Sequence, residues 1–380
     1  MKRRCFSCFV ALAFVLVLSQ VSLAQEKLLG QVTACTGEVE LKRAKETVWA
    51  KAQLNMPVYF GDHIRTGKAS KVTITFTDQS LLEIQSDTRV ALNTIISPVE
   101  KKHSVLLFFG RIWSKLRKRI VQMRGYEVQT PTAVLGVRGT EFEAASYEDG
   151  TTIVRVDSGE VVVDSETDRG VLFPNQGTQL SFDERRITVV SDFRPEWERE
   201  EKRSRGNLFA DGRKYGGFVH REIYKRRDNL KALVDEVNGL KKEREGYLAR
   251  AKEAKDRGDN LGYDSALSEV RRIDREIVRL NKTIAFSGRR LECQFGLFSH
   301  YGYLAKHPEL SKKFQGKEFI LAQLDNIEMI RAEFDAMIEE GMKLSMKDME
   351  DLMKEMKDRV KEFREKGNKR DPFEELEKGH

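Results

Sequence analysis

From Leu28 to about Arg194, apolar residues fall at alternate positions or in short runs cut by glycine turns. In "KVTITFTDQSLLEI" (Lys71–Ile84), Val72, Ile74 and Phe76 alternate with polar residues, a Thr-Asp-Gln-Ser turn follows, and Leu82 and Ile84 resume. "YEVQT" (Tyr126–Thr130), "TEFEA" (Thr140–Ala144), "TTIVRVDSGEVVVDS" (Thr151–Ser165) and "RRITVVS" (Arg185–Ser191) read likewise. Branched and aromatic side chains at period two suit a pleated surface with one face buried. Turn pairs recur at Gly61-Asp62, Thr66-Gly67, Asp149-Gly150, Ser158-Gly159 and Gln176-Gly177. Short strands with close turns predict an all-β barrel, sandwich or short solenoid over residues 25–193. "CTGEVEL" (Cys35–Leu41) and "DSGEVVV" (Asp157–Val163) form a weak internal echo.

The period then changes. A charged linker is expected over 194–217, followed by an antiparallel α-helical coiled-coil domain over 218–366 and a disordered tail over 367–380. Ile223, Leu230, Leu233, Val237, Leu240, Tyr247, Ala251 and Ala254 keep alternating spacings of four and three, with Arg226 and Arg244 at two seam positions. That is a heptad seam. It breaks at "DRGDNLGYDS" (Asp256–Ser265) and is followed by a second seam, Ala266, Val270, Ile273, Ile277, Leu280 and Ile284. Two seams joined by a glycine-rich turn predict a helical hairpin. A glycine and aromatic patch, "CQFGLFSHYGYL" (Cys293–Leu304), is read as separating it from a third helix through Phe319, Ile320, Leu324, Ile327, Phe334 and Met337. A fourth runs through Met349, Leu352, Met356, Val360 and Phe363, with Ser345 placed to cap it.

Charge sharpens the boundary. Residues 25–195 carry 23 basic and 22 acidic side chains, whereas 196–380 carry 41 and 38. The formal charge of +7 is thus spread thinly, and neither part has the basic balance of a nucleic-acid binder. The N-terminus has a cationic start, a ten-residue apolar core (Phe9–Leu18) and Ser22-Leu23-Ala24 before Gln25. Residues 1–24 read as a secretion signal cleaved near Ala24, giving a periplasmic or secreted protein; the alternative is an uncleaved anchor. Cys35 and Cys293 remain after cleavage, either as one bridge or as two separate thiols.

Residues with chemistry are few. His63, His103, His220, His300, His307 and His380 fall in no ligand spacing, so no metal and no cofactor is expected. Phosphate-binding and hydrolase motifs are lacking, and the chain reads as a non-enzyme. "GRIWSKLRKRIVQMRG" (Gly110–Gly125) carries Arg111, Lys115, Arg117, Lys118, Arg119 and Arg124 with helically spaced Ile112, Trp113, Leu116, Ile120 and Met123. It is either a basic amphipathic patch for anions or a short helix or loop covering one end of the β-domain. Membrane contact would be peripheral only.

"GDHIRTGKASKVTITFTDQSLLEI" followed by "YEVQTPTAVLGVRGTEFEA" resembles the FecR-domain family of extracytoplasmic bacterial proteins. The matching pieces are Gly-Asp-x-Ile-x-Thr-Gly, Asp-x-Ser, and Thr-Pro-Thr-Ala-Val-x-Gly-Val-Arg-Gly-Thr-x-Phe, over roughly residues 28–190. The resemblance implies an all-β periplasmic domain. In the family's regulators a cytoplasmic anti-sigma segment and a membrane helix precede it, and the domain binds a TonB-dependent receptor. Here only Met1–Arg4 precede the apolar run, so the domain itself, as a secreted module, is what carries over. Within the motif, Pro131 favours an extended Thr130, and Gly136 and Gly139 permit geometry that a side chain would block. Thr130, Pro131, Gly136, Arg138, Gly139 and Thr140 form either a structural corner clamped by Arg138 or a turn that binds an anion. The functional expectation is a partner-binding, sensing or scaffolding module that meets an envelope protein or glycan, with self-association through the helices. The alternative is a structural coiled-coil spacer, and an unrecognised periplasmic enzyme is the remote third.

Overall fold

A computed structural model describes residues 28–337 apart from Lys45, 93–102, 118–125 and Arg138. The signal segment, the Met349–Phe363 helix and the tail lie outside the described residues. The β-region is two sheets stacked on one core. The first sheet runs in the order β4 (Pro57–Tyr59), β1 (Leu28–Thr36), β6 (Lys71–Phe76), β7 (Leu81–Ile84), the second half of β9 (His103–Lys115), β12 (Glu141–Ser146), β13 (Thr152–Ser158), β16 (Gln176–Leu180), β17 (Val190–Ser191). The second runs β3 (Ala50–Lys51), β2 (Val39–Lys42), β5 (His63–Thr66), β8 (Arg89–Leu92), the first half of β9, β10 (Tyr126–Gln129), β11 (Val134–Val137), β14 (Val161–Asp164), β15 (Arg169–Leu172). The pairings are antiparallel apart from β9 with β10. Among the described residues neither sheet closes on itself, so the three architectures left open by the pattern resolve to an open sandwich, not a barrel. Val72, Ile74, Ile84, Phe142 and Val156 from one sheet meet Val39, Ile64, Leu107, Val128 and Val161 from the other in a single core.

The chain crosses between sheets at a repeated corner. Gly37, Gly110 and Gly159 each have positive φ (77°, 99° and 82°). In each case the next amide donates to a hydroxyl on the neighbouring crossing: Glu38 to Ser70 Oγ, Arg111 to Thr88 Oγ1, and Glu160 to Thr140 Oγ1. A Cβ on Gly110 would lie 2.3 Å from Thr88 Oγ1, so the corner needs glycine for both conformation and space. The two Gly-Glu-Val triplets occupy equivalent corners, which gives their sequence echo a physical cause.

β9 corrects the reading of Gly110–Lys115 as helical. Ile112 and Ser114 are buried while Arg111, Trp113 and Lys115 face outward, a period of two. Pairing on both sides, with β7 and β12, outweighs the helical spacing.

Among the described residues four helices follow. α1 is Trp197–Ala210, α2 Gly212–Asp256 and α3 Asn260–Lys306. A 3-10 turn at Leu310–Lys312 leads to α4, described over 317–337. Much of the span read as a charged linker is thus α1. Asp211 caps α2 by accepting from Lys214 N, and Asp259 caps α3 from Gly262 N. α2 and α3 lie antiparallel, roughly 68 and 70 Å long at about 1.5 Å per residue. The seam arginines are paired: Arg226 with Glu166 and Glu222, and Arg244 with Asp274 at 2.6 Å across the hairpin.

The glycine and aromatic patch does not separate helices; it lies inside α3. Residues 288–298 are buried on every side. Gly296 lets α3 close onto β9, since a Cβ there would stand 2.3 Å from the Phe108 ring. The first half of β9 is buried on both faces. Val105 and Leu107 enter the sandwich core, while Leu106 and Phe108 meet Cys293 of α3.

Candidate functional site

The site worth describing is the junction where α1 and α3 grip the sandwich. Its first part is the Thr130–Ala133 turn that joins β10 to β11. Thr130 N donates to Ala133 O (2.9 Å), and Thr130 Oγ1 accepts from Ala133 N (2.9 Å). The hydroxyls of Thr130 and Thr132 both meet Thr152 Oγ1, at 2.8 and 2.7 Å. All three threonines are fully buried. α3 covers the turn: Gln294 Nε2 donates to Pro131 O (2.6 Å), and the Cys293 thiol points to Gln129 O (3.4 Å). The turn's polar atoms are thus engaged by the chain itself.

The rest of the motif divides. Gly139 has φ +61°. Gly136 does not share that role: it sits in β11 opposite Val162, and a Cβ there would find only ordinary contact at 3.8 Å, so the expectation that it needs glycine is corrected. Thr140 serves the Gly159 corner. Arg138 lies outside the described residues.

The second part is the β12–β13 hairpin, Tyr147-Glu148-Asp149-Gly150. An Asp-Gly turn is ordinarily exposed, yet these residues are buried. Asp149 Oδ1 accepts from Ser204 Oγ (2.6 Å), and Asn207 Nδ2 donates to Asp149 Oδ2 (2.9 Å), both from α1. Glu148 is held between Arg205 Nε of α1 (2.8 Å) and His300 Nε2 of α3 (2.8 Å), while Tyr301 donates to its backbone carbonyl. Burial alone would raise the Glu148 pKa; the hydrogen bonds and charges of His300 and Arg205 win and hold it down to about 2. His300 also stacks on Phe109 of β9, with centroids 3.9 Å apart. Two recesses flank the hairpin. One, of about 100 Å³, lies among Asp87, Arg111, Tyr147, Trp197 and Glu201. The other, of about 400 Å³, lies among Asp149, Phe182, Arg203, Asn207 and Tyr215. Burial raises the Tyr147 and Glu201 pKa values, and the Tyr147 hydroxyl is committed to Trp197 O (3.0 Å).

A third contact lies at the β14–β15 turn. Glu166 receives Arg226 at 2.6 Å and Arg185 at 3.4 Å, with Arg290 at 3.7 Å, and Glu222 adds to the network. Arg290 is 1% exposed, and its burial lowers its pKa to about 10.

The basic residues singled out in the sequence do not gather. Arg111 and Lys115 pair with Glu143 and Glu141 on β12, at 3.2 and 3.1 Å. Arg117 is exposed just beyond β9, and Lys118, Arg119 and Arg124 lie outside the described residues. Cys35 and Cys293 are both free thiols, which settles the two readings of them against a bridge. Among the described residues no group of three His, Cys, Asp or Glu is placed to hold a metal ion, and no helix is long and apolar enough to cross a membrane. The junction residues Glu148, Asp149, His300 and Gln294 escaped the sequence reading. The one signal was the high density of apolar and small residues at Cys293–Leu304, a sign of a helix buried all round.

Residues 62–162 match the family model described as FecR protein, so the chain carries a FecR domain. No curated protein matches. Two crystal structures of a candidate anti-sigma factor from Parabacteroides distasonis ATCC 8503 align at 19% identity with a TM-score of 0.29, over 34% of this chain and 57% of theirs. The match thus spans little more than half of those chains. A structure described as a cell surface anchoring domain aligns at 28% identity and TM-score 0.17, over 17% of this chain and 84% of that one.

Proposed function

We propose that this chain is a non-catalytic cell-envelope protein. Its FecR domain recognises a partner, an envelope protein or glycan, and its helical hairpin transmits or presents that binding. Burial of residues 288–298 between sheet and helices is the observation that carries this reading. A helix wedged there moves with the sandwich, so an event at one registers at the other. The Glu148 and Asp149 carboxylates of the junction are spent on pairing with α1 and α3, which suits positioning more than chemistry. The apolar N-terminal segment supports delivery across a membrane, to the periplasm or beyond, where a FecR domain would meet its partner.

The structural-spacer reading keeps one support of its own. The outer half of the hairpin is a long charged arm whose seam residues Val237, Ala251, Ala254 and Ile273 are buried where its two helices face each other, and Leu261 at its tip is 85% exposed. Photo-crosslinking amino acids placed in the full chain separate the two in living cells. One set goes at Val171 and Phe173 on the sandwich, the other at Leu261. Recognition predicts that the sandwich positions trap one defined envelope component. Trapping confined to Leu261, with a second copy of this chain as the product, would replace recognition with self-assembly.

A further inference from the structure

The outer face of the second sheet holds an excess of positive charge beside α3. Lys42, His63, Arg65 and Arg89 come from the adjacent strands β2, β5 and β8. The register sets Lys42 opposite His63, and Arg65 opposite Arg89. Arg65 and Arg89 are like charges directly opposite on one face, which destabilises a sheet, so this pair calls for a compensating group. Trp49 supplies part of it. Its indole centroid is 4.4 Å from the Arg65 guanidinium, 5.6 Å from that of Arg89 and 6.0 Å from the Lys42 ammonium. Arg89 also lies 5.6 Å from the Phe108 ring, against which buried His63 stacks.

The carboxylates nearby are taken. Glu40 pairs with Arg65, and Glu292 of α3 pairs with Arg331 of α4. Asp335 is further along α4, its pKa raised by its own burial. Among the described residues no carboxylate forms an ion pair with Lys42 or Arg89. Among the described residues Lys42 donates to the Glu46 carbonyl, at 3.3 Å. Among them, too, Arg89 Nε and His63 Nδ1 are buried and find no hydrogen-bond partner. Burial and neighbouring positive charge both shift these groups. Burial and then the charge of Arg331 bring Arg89 to about 10, with the Glu292 carboxylate opposing in part there and at Lys42. Burial, Arg89 and Arg331 together lower Lys42. Burial first, then Lys42, Arg89 and Arg331, hold His63 well below its ordinary value, so it is a neutral imidazole.

We infer that this cluster binds an anionic group of phosphate or carboxylate chemistry between Lys42 and Arg89, beside the Trp49 ring that both approach. Charge-assisted hydrogen bonds from a guanidinium and an ammonium suit such a group. Its charge would relieve the Arg65–Arg89 opposition and draw the field of Arg331. The occupant would therefore tie the sheet to α4.

The test is calorimetric titration of the full chain in low-salt buffer with sodium phosphate and, separately, with citrate. The variants are Lys42→Gln and Arg89→Gln, with Arg279→Gln on the exposed hairpin arm as control. Saturable binding should weaken at least tenfold in either the Lys42 or the Arg89 variant and stay unchanged in the control. Tighter phosphate identifies a phosphoryl ligand; tighter citrate identifies a carboxylate one. A second readout is independent of affinity. Without anion, Lys42→Gln should melt higher than the parent chain at low salt, because repulsion is relieved, and saturating phosphate should abolish the gain. The inference is overturned if neither anion gives saturable heat, if sodium chloride at equal ionic strength abolishes the binding, or if binding survives the Lys42→Gln, Arg89→Gln double variant.

Discussion

Replacing Glu148 by glutamine keeps the shape of the hairpin and removes one buried charge. In the folded chain Glu148 titrates at about 2, against 4.5 for an unperturbed glutamate. A depressed carboxylate pKa contributes stability that is present above the unfolded value and lost as pH falls through the folded one. A gap of about 2.5 pKa units corresponds to about 3 kcal/mol at pH 7, at 1.36 kcal/mol per unit. By the same linkage about 1.4 kcal/mol remains at pH 3, since the folded group is still mostly ionised there while the unfolded one is mostly protonated. Glu148→Gln should therefore lower unfolding stability by about 3 kcal/mol at neutral pH, and the deficit should shrink by about half at pH 3. Urea unfolding of both chains across that range reads this directly. Other titrating groups are common to both and cancel in the difference. A deficit below about 1 kcal/mol, or one that does not change with pH, would refute the claim that His300 and Arg205 hold Glu148 ionised as a clamp.

Gly110→Ala should cost about 3 kcal/mol, from a left-handed backbone and contact with Thr88, whereas Gly136→Ala should stay within about 1 kcal/mol; denaturant melts of the pair check the corner. Gln294→Leu leaves the Pro131 carbonyl buried without its donor and should cost about 1–3 kcal/mol, read by thermal unfolding. Thiol labelling followed by mass spectrometry should modify half-exposed Cys35 in the native chain. Cys293, buried and with its pKa raised by that burial, should react only when α3 lifts from β9; equal labelling rates would count against the docked helix.

Alternation made the sandwich legible. Val72, Ile74 and Phe76 point inward as their spacing requires, because one buried face imposes a period of two. The hairpin break at Asp256–Ser265 was legible too, through Gly258 and the capping Asp259. Failures came where a segment is buried on more than one side. "SVLLFF" in β9 has no period because core and helix take opposite faces, and a both-sided strand loses its alternation. Residues 288–298 have no amphipathic stripe for the equivalent reason, so their glycines looked like a loop. Gly110–Lys115 carried both periods, and only pairing with β7 and β12 decides between them. The junction could not be read at all, since Glu148 and His300 meet across 152 positions. In the basic cluster, the opposition of Arg65 and Arg89 depends on strand register, which the chain's local pattern does not contain.

The central claim is that the helices and the FecR domain form one body through α3. Native-state hydrogen exchange resolved to the residue tests it most directly. The amides of residues 288–298 should exchange as slowly as those of Val105–Phe108 in β9, opening together in a single cooperative step. Exchange of 288–298 at rates orders of magnitude faster, with β9 still protected, would mean that the helix lifts off alone, and coupling between the two parts would fall with it.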